Sequence, residues 1–363
     1  MNNCKTLWAL IALCLPLLGW GQTPATTRKV VLEKAADGYR WKLIEAAVPP
    51  VGDHQVLIRV RAVSLNRGDI EALAAGPGPD RSGLLVASDA AGDVAAVGKA
   101  VTSVRPGSRV TSTYFKNWTD GPPSQEKLDK ALGANVDGVL ADFAVLDDTT
   151  VAPAPAGLSY EEASTLPTAG LTGWMASVGR REPHKGDVVL IQGTGGVSVF
   201  AMQFAAAAGA RIVLTSSSDD KLKRAQSIAP HEGINYKSVP EWGKRVFQLT
   251  DGHGADVVVD VGGKSTLEQS VRSLAFGGTL SIVGGLTGYD GQIGAGALLG
   301  KSANVQGIFV GSRADFLRMS AFIAAHRLHP VIDKTFPFEQ FEAALKHMSD
   351  GDFIGKIVLT LTR

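Results

Sequence analysis

The chain has 363 residues, a length that suits two domains better than one core. Its 36 Lys and Arg stand against 35 Asp and Glu, so no basic surface is implied that would steer a nucleic acid or another polyanion. An apolar share of 45% fits a globular chain and excludes a disordered one.

The first residues stand apart. Lys5 gives a basic start, residues 7–20 form an apolar run, and Gly19-Trp20-Gly21 or Thr23-Pro24-Ala25 offers the small residues that cleavage requires. Residues 1–25 therefore read as a signal peptide. The run is shorter than the ~20 residues of a spanning helix and contains Pro16, so no stable membrane anchor is expected. Cleavage implies export, periplasmic or secreted, and an unused leader implies the cytoplasm. The only two cysteines, Cys4 and Cys14, lie inside this segment. The chain after it has no thiol, which removes both a disulfide framework and a thiolate metal site.

Residues 30–146 alternate short β-rich runs, such as Gln55-Val56-Leu57-Ile58-Arg59-Val60-Arg61-Ala62-Val63, with Gly and Pro turns. This predicts an antiparallel, barrel-like domain. Gly76-Pro77-Gly78-Pro79-Asp80 and the stretch 118–135 read as loops, the second long enough for a functional lid. After Tyr160 the rhythm becomes strand then helix, with strands predicted at 188–191, 211–214, 257–261 and 280–283. That alternation implies a parallel sheet. The last stretch, 336–360, is a helix then a strand, which brings the chain back into the first domain.

The apolar strand 187–192 runs directly into Gly193-Thr194-Gly195-Gly196-Val197-Ser198 and then an apolar-faced helix. This is a dinucleotide turn in its proper setting. The first glycine permits the bend, the second lets backbone N–H groups approach a pyrophosphate, and the helix N-terminus adds partial positive charge. Ser198 replaces the usual third glycine. At the end of the next strand an NAD site would carry an acid for the ribose hydroxyls, whereas this chain has Thr215-Ser216-Ser217-Ser218 with Lys221 and Arg224 after it. Ser216, Ser217 and Lys221 suit a 2′-phosphate, so NADP(H) is the expected cofactor, with NAD(H) as the alternative. Asp219 and Asp220 are expected to open a helix.

Several segments, in order, resemble the medium-chain dehydrogenase/reductase superfamily, in its zinc-independent alcohol dehydrogenase and quinone oxidoreductase branch. They include Ala62-Val63-Ser64-Leu65-Asn66, Ser88-Asp89-Ala90-Ala91-Gly92-Asp93-Val94, Thr165-Leu166-Pro167-Thr168-Ala169-Gly170-Leu171-Thr172, Gly307-Ile308-Phe309-Val310-Gly311-Ser312-Arg313 and Gly355-Lys356-Ile357-Val358, besides the turn at Gly193. The resemblance implies an α/β protein in which a Rossmann doubly wound parallel sheet (158–312) is joined to a GroES-like β-barrel catalytic domain (28–157, with a return over 313–363). It further implies that Gly262, Gly284, Phe309 and Val310 line the cofactor cleft, although each glycine there reads equally as an ordinary turn glycine. Dimers are usual among such relatives, so a homodimer is expected.

At the three positions where zinc members of the superfamily hold catalytic metal, this chain has Asn66, Ser88 with Asp89, and Thr168. Asn, Ser and Thr are poor zinc ligands, and the seven histidines are scattered, so no metal is expected. The resemblance implies that Asn66 lies beside the nicotinamide and Thr168 at the emptied metal position. Arg67 offers a cationic donor, or else an ion pair with Asp69. Tyr114 and Trp118 line the substrate pocket or pack in the core. The function implied is NADPH-dependent hydride transfer to a small-molecule carbonyl, quinone or enone, or its reversal from the alcohol. The alternative is a non-catalytic NADPH-binding protein that has kept the fold.

Overall fold

The computed structural model describes residues 24–74, 78–180 and 183–362. Most of the expected signal peptide, residues 1–23, lies outside the described residues, as do Gly76 and Pro77 of the first predicted loop. Among the described residues, no helix is long and apolar enough to cross a membrane.

Strands β1 (Thr26–Ala35) and β2 (Gly38–Ala47) form an antiparallel hairpin. Five strands follow: β3 (Gln55–Ser64), β4 (Asp89–Val97), β5 (Arg109–Ser112), β6 (Phe143–Asp147) and β7 (Val151–Pro153). They pair antiparallel, as the alternating runs and turns predict. Val56, Ile58 and Val60 alternate along β3 into one apolar core, because a strand presents every second side chain to the same face.

The second sheet contains β8 (Val188–Gln192), β9 (Arg211–Ser216), β10 (Glu232–Asn235), β11 (Ala255–Asp260), β12 (Leu274–Ile282) and β13 (Asn304–Gly307). All neighbours are parallel, in the order β10-β9-β8-β11-β12-β13. Every residue of β8 is buried, as expected of a central strand covered on both faces. Strand order reverses between β8 and β11, and ligands of open α/β sheets bind in the crevice at that reversal.

The chain then returns to its beginning through β14 (Ile332–Pro337) and β15 (Lys356–Thr360). β15 runs antiparallel to β3, with Val358 opposite Ser64 and Leu359 opposite Val63. The helix Arg313–His326 does not take part in this return. Its Phe316, Met319 and Ile323 join Trp174, Phe200 and Phe204 in the apolar cluster on one face of the parallel sheet, so re-entry begins at β14 rather than at Arg313. The same cluster takes in Phe115 and Trp118 from the first domain, so the two domains share core.

The 118–135 stretch departs from the lid expected of it. Ala131 and Leu132 are buried, and the carbonyls of Trp118 and Thr119 accept from the amides of Arg313 and Ala314. Gly133 within it and Gly138 just beyond it pack onto the backbone of Val86 and Ala87. A Cβ placed on Gly138 would sit 1.9 Å from the Ala87 carbonyl oxygen. The stretch is a buttress. Gly138→Ala is therefore expected to cost about 1–3 kcal/mol through overpacking, read as a lowered urea midpoint at unchanged slope.

Candidate active site

The dinucleotide turn follows β8. Gly193 has φ of 73°, a left-handed conformation that favours glycine, and its amide donates to Thr215 O at 2.7 Å. Gly195 is the N-cap of the helix Gly196–Ala207, whose first-turn amides have no acceptor within the helix and present an anion site. Ser198, in the third-glycine position, is buried and donates its hydroxyl to Gln192 O at 2.7 Å. Its hydroxyl thus closes the turn onto the strand end. Val197 is half-buried against the neighbouring core.

The last strand touches this turn. Gly355, at φ of 88°, bridges to Gly195, and its amide donates to Thr194 O at 3.0 Å. The next residue, Lys356, passes over Gly196, where an added Cβ would come within 2.5 Å of Lys356 Cδ. Gly196 is the space through which that side chain reaches the cleft.

There it meets the candidate catalytic residues. Lys356 is only 4% exposed, and its ammonium donates to Asn66 Oδ1 at 2.6 Å and to Leu65 O. Asn66 Nδ2 makes a long contact of 3.4 Å with Ser88 Oγ, and Ser88 Oγ donates to Asp89 Oδ1 at 2.5 Å. Thr168 completes the chain of contacts, its hydroxyl donating to Asp89 Oδ1 at 2.6 Å and its amide to Asp89 Oδ2 at 3.0 Å. That amide is available because Thr168 lies in the π-helical turn Leu166–Gly170, beside Pro167, where the regular helical ladder is broken. Asn66 and Thr168, 102 positions apart by number, are thereby linked through a carboxylate buried beneath both.

Asp69 sits below Asn66 and accepts its backbone amide at 2.7 Å. Burial, and next the negative charge of Asp89, push the Asp69 carboxyl up to about 7, against the pull of the Asn66 amide and of Lys356. Burial brings the Lys356 ammonium down to about 8, while Asp89 and then Asp69 hold it up.

Arg67 lies outside this network. It is exposed and pairs with Glu71 at 3.4 Å; the sequence-based pair with Asp69 does not form, because the Asp69 carboxylate turns inward to the Asn66 amide. Tyr114 lies at the cleft, its ring 6.2 Å from that of Phe309 and its hydroxyl without a partner among the described residues. Burial, then the charges of Asp89 and Asp69, push its phenol up to about 12. Trp118 belongs to the core, with its indole N–H donating to Gly121 O at 2.8 Å.

On the Rossmann side, Gly262 is buried and tied to the end of β8 by a 3.4 Å contact from its amide to Gln192 Oε1. Gly284 is half-buried just past β12. Phe309 is 58% exposed and meets Phe115 edge-on at 5.2 Å, so it spans from one domain to the other. Val310 is buried with φ of 58°. Ser216 Oγ accepts from the Ser218 amide, and Ser217 is half-buried beside it. Asp219 and Asp220 open a helix as expected, with Ser218 as its N-cap. Lys221 is drawn away to the Gly351 carbonyl at 2.5 Å and to Asp352 at 3.8 Å.

Two family descriptions match the chain: an alcohol dehydrogenase GroES-like domain over residues 52–156 and a zinc-binding dehydrogenase over residues 196–325. A zinc-type alcohol dehydrogenase-like protein of Schizosaccharomyces pombe is 40% identical over 320 residues, 85% of this chain and 91% of that protein. The chain belongs to the medium-chain dehydrogenase/reductase superfamily. A solved Sinorhizobium meliloti 1021 protein, described as a candidate alcohol dehydrogenase, superposes with a TM-score of 0.88 at 39% identity, covering 93% of this chain and all of that one. A solved NAD-dependent alcohol dehydrogenase superposes at 0.81 with 30% identity, covering 92% and 100%. This superfamily member is placed among NAD(P)-dependent oxidoreductases.

The zinc of some relatives tests the site. Asn66, Ser88, Asp89 and Thr168 supply one carboxylate and no thiolate or imidazole, and an ammonium already occupies Asn66 Oδ1. Among the described residues there is no group of three or more His, Cys, Asp or Glu that could hold a metal. These residues do not fit zinc.

Sequence reasoning missed Lys356 and Asp69. The signal for Lys356 was present: a lysine leading directly into the apolar run Ile357-Val358-Leu359 of the last strand, Lys356–Thr360. A carboxyl whose folded pKa is raised contributes stability that is complete below the ordinary carboxylate pKa and lost as pH rises through the folded value. Stability is therefore expected to fall between about pH 4 and about pH 7 on account of Asp69. Asp69→Asn should flatten that part of the profile, measured by urea unfolding across the range.

Proposed function

We propose that this protein is a zinc-independent NADPH-dependent oxidoreductase acting on a small carbonyl, quinone or enone, or on the corresponding alcohol. The observation that carries the reading is the link from Lys356 through Asn66 and Ser88 to Asp89 and Thr168, which fills the metal position with hydrogen-bonding groups. The bound dinucleotide supplies hydride from nicotinamide C4. The chain's own work is to hold donors against the oxygen on which negative charge grows. The donors left for it are Asn66 Nδ2 and the phenol of Tyr114, while the hydroxyls of Ser88 and Thr168 give their protons to Asp89 and order the groups beneath.

The preference for NADPH over NADH rests on the end of β9. The two carboxylates that follow it open the next helix and each has a partner, Asp219 accepting from Asn235 Nδ2 at 3.0 Å and Asp220 lying 3.6 Å from Arg224. Ser217 remains for a 2′-phosphate. Consumption of NADPH and NADH over a panel of aldehydes, quinones and enones tests the whole reading. NADPH should be preferred, and Asn66→Ala should lower kcat about 10²-fold while leaving NADPH affinity nearly unchanged. Binding of NADPH with no turnover across the panel would favour the non-catalytic reading instead.

We also propose a homodimer formed along β13. This strand ends the parallel sheet with one edge unpaired among the described residues, Val305 on it is 41% exposed, and Leu299 on the preceding helix is 82% exposed. Sedimentation should show a dimer, and Val305→Lys, a standard way of blocking edge pairing, should shift it to monomer.

A further inference from the structure

We propose that Lys356 is a positioning residue for the reduction, fixing and polarising Asn66 so that the amide end of its side chain is offered to the substrate oxygen. This rests on the oxidoreductase reading above and assigns to this chain the source of the positive charge that a metal provides in zinc relatives.

Three observations converge on it. An ammonium has only donors, so the group it touches at 2.6 Å must be an oxygen, and this fixes which end of the Asn66 carboxamide is Oδ1. The opposite end, Nδ2, is loosely held: its contact with Ser88 Oγ is 3.4 Å, and Ser88 Oγ is already committed to Asp89 at 2.5 Å. A substrate oxygen can take that donor without breaking a strong bond. Finally, the lysine is built in from the cofactor side. Gly355 is locked to Thr194 O in the dinucleotide turn, and glycine at 196 leaves room for the lysine stem. A loaded turn and a correctly turned Asn66 thus depend on the same strand.

The chemistry asked of it is limited. As the substrate carbon accepts hydride it gains a C–H bond, its π pair moves to oxygen, and the oxygen is finally protonated by water. A cation bonded to the far end of the Asn66 amide strengthens the N–H that faces this oxygen, since hydrogen bonds polarise one another along a chain and charged partners strengthen them. The effect grows with charge on the oxygen and so falls on kcat more than on KM.

Lys356→Gln retains a donor for Asn66 without the charge, and Lys356→Arg retains the charge. The Gln variant should lose about 30-fold in kcat, less than the 10²–10³ of removing an oxyanion donor outright, with the NADPH Kd within threefold of wild type. The Arg variant should recover most of the loss. A binding measurement works without turnover: calorimetric titration of butyrate onto the NADP+-loaded protein uses a carboxylate as a stand-in for the charged oxygen, and the Gln variant should bind it at least tenfold more weakly. Equal kcat in Gln and wild type, or loss of NADPH affinity in proportion to kcat, overturns the proposal. So does butyrate binding that is absent in wild type or indifferent to the substitution. Wild-type butyrate binding that depends on Lys356, combined with no turnover of any carbonyl, supports the positioning of Asn66 and overturns the oxidoreductase reading alone.

Discussion

The pairing of β15 with β3 places the end of the chain inside the site that the rest of the chain builds. Val358 opposite Ser64 sets the register, and from that register Gly355 falls on the dinucleotide turn and Lys356 on Asn66. A slip of one residue would turn Lys356 to the other face of the strand and leave Asn66 Oδ1 without its cation. Burial of Ile357 and Leu359 in the catalytic core holds the register, because β15 is buried on both faces and a slip would carry Lys356 onto the face that those two side chains fill. The apolar face of a terminal strand thus sets the polar geometry of the cleft.

Charge follows from the same pairing. Asp69 and Asp89 are both buried within reach of one ammonium, and a buried carboxylate without a compensating cation is costly. Removing the lysine would leave two such groups and removing either aspartate would leave one cation less well balanced. Asp89 spends its oxygens on Ser88 and Thr168 and Asp69 spends one on the Asn66 amide, so each carboxylate also orders backbone or hydroxyl groups around the cleft. A divalent cation here would meet Lys356 at Asn66 Oδ1 and be repelled, which gives an electrostatic reason for the poor zinc fit beyond the absence of thiolates.

The parallel sheet and its turn were legible in the sequence because they depend on local pattern: an apolar strand, glycines at the bend, an apolar-faced helix. Asn66 and Thr168 were legible by resemblance, each standing in a recognisable frame. Lys356 was not read as a site residue because its partner lies 290 positions away, and nothing local to a strand says which residue its first side chain will meet. Arg67 fails for a related reason. Next to Asn66 in sequence, it looked available to the cleft, but residues of a short helix point in different directions, and the helical spacing that pairs it with Glu71 turns it to solvent. Lys221 was read from its place after β9, yet the carbonyl of Gly351 that draws it away comes from the returning segment.

Backbone strain collects where these distant pieces meet. Ala87, immediately before Ser88, has φ of 61°, and the β-branched Val310, immediately after Phe309, has φ of 58°. Each conformation costs about 1–3 kcal/mol and persists only where the surroundings over-determine it. Around Ala87 they do: Gly133 and Gly138 pack on its backbone, and its carbonyl accepts the Val139 amide at 3.0 Å. Around Val310 the neighbouring Gly311 packs against Leu171, and Ser312 and Asp315 exchange capping bonds that fix the helix start. One strained residue precedes the hydroxyl and carboxylate beneath Asn66, and the other follows the ring that bridges the domains. Relaxing either would re-aim a side chain at the cleft, so the buttress at 133–138 and the cap at Ser312 serve the site without touching it.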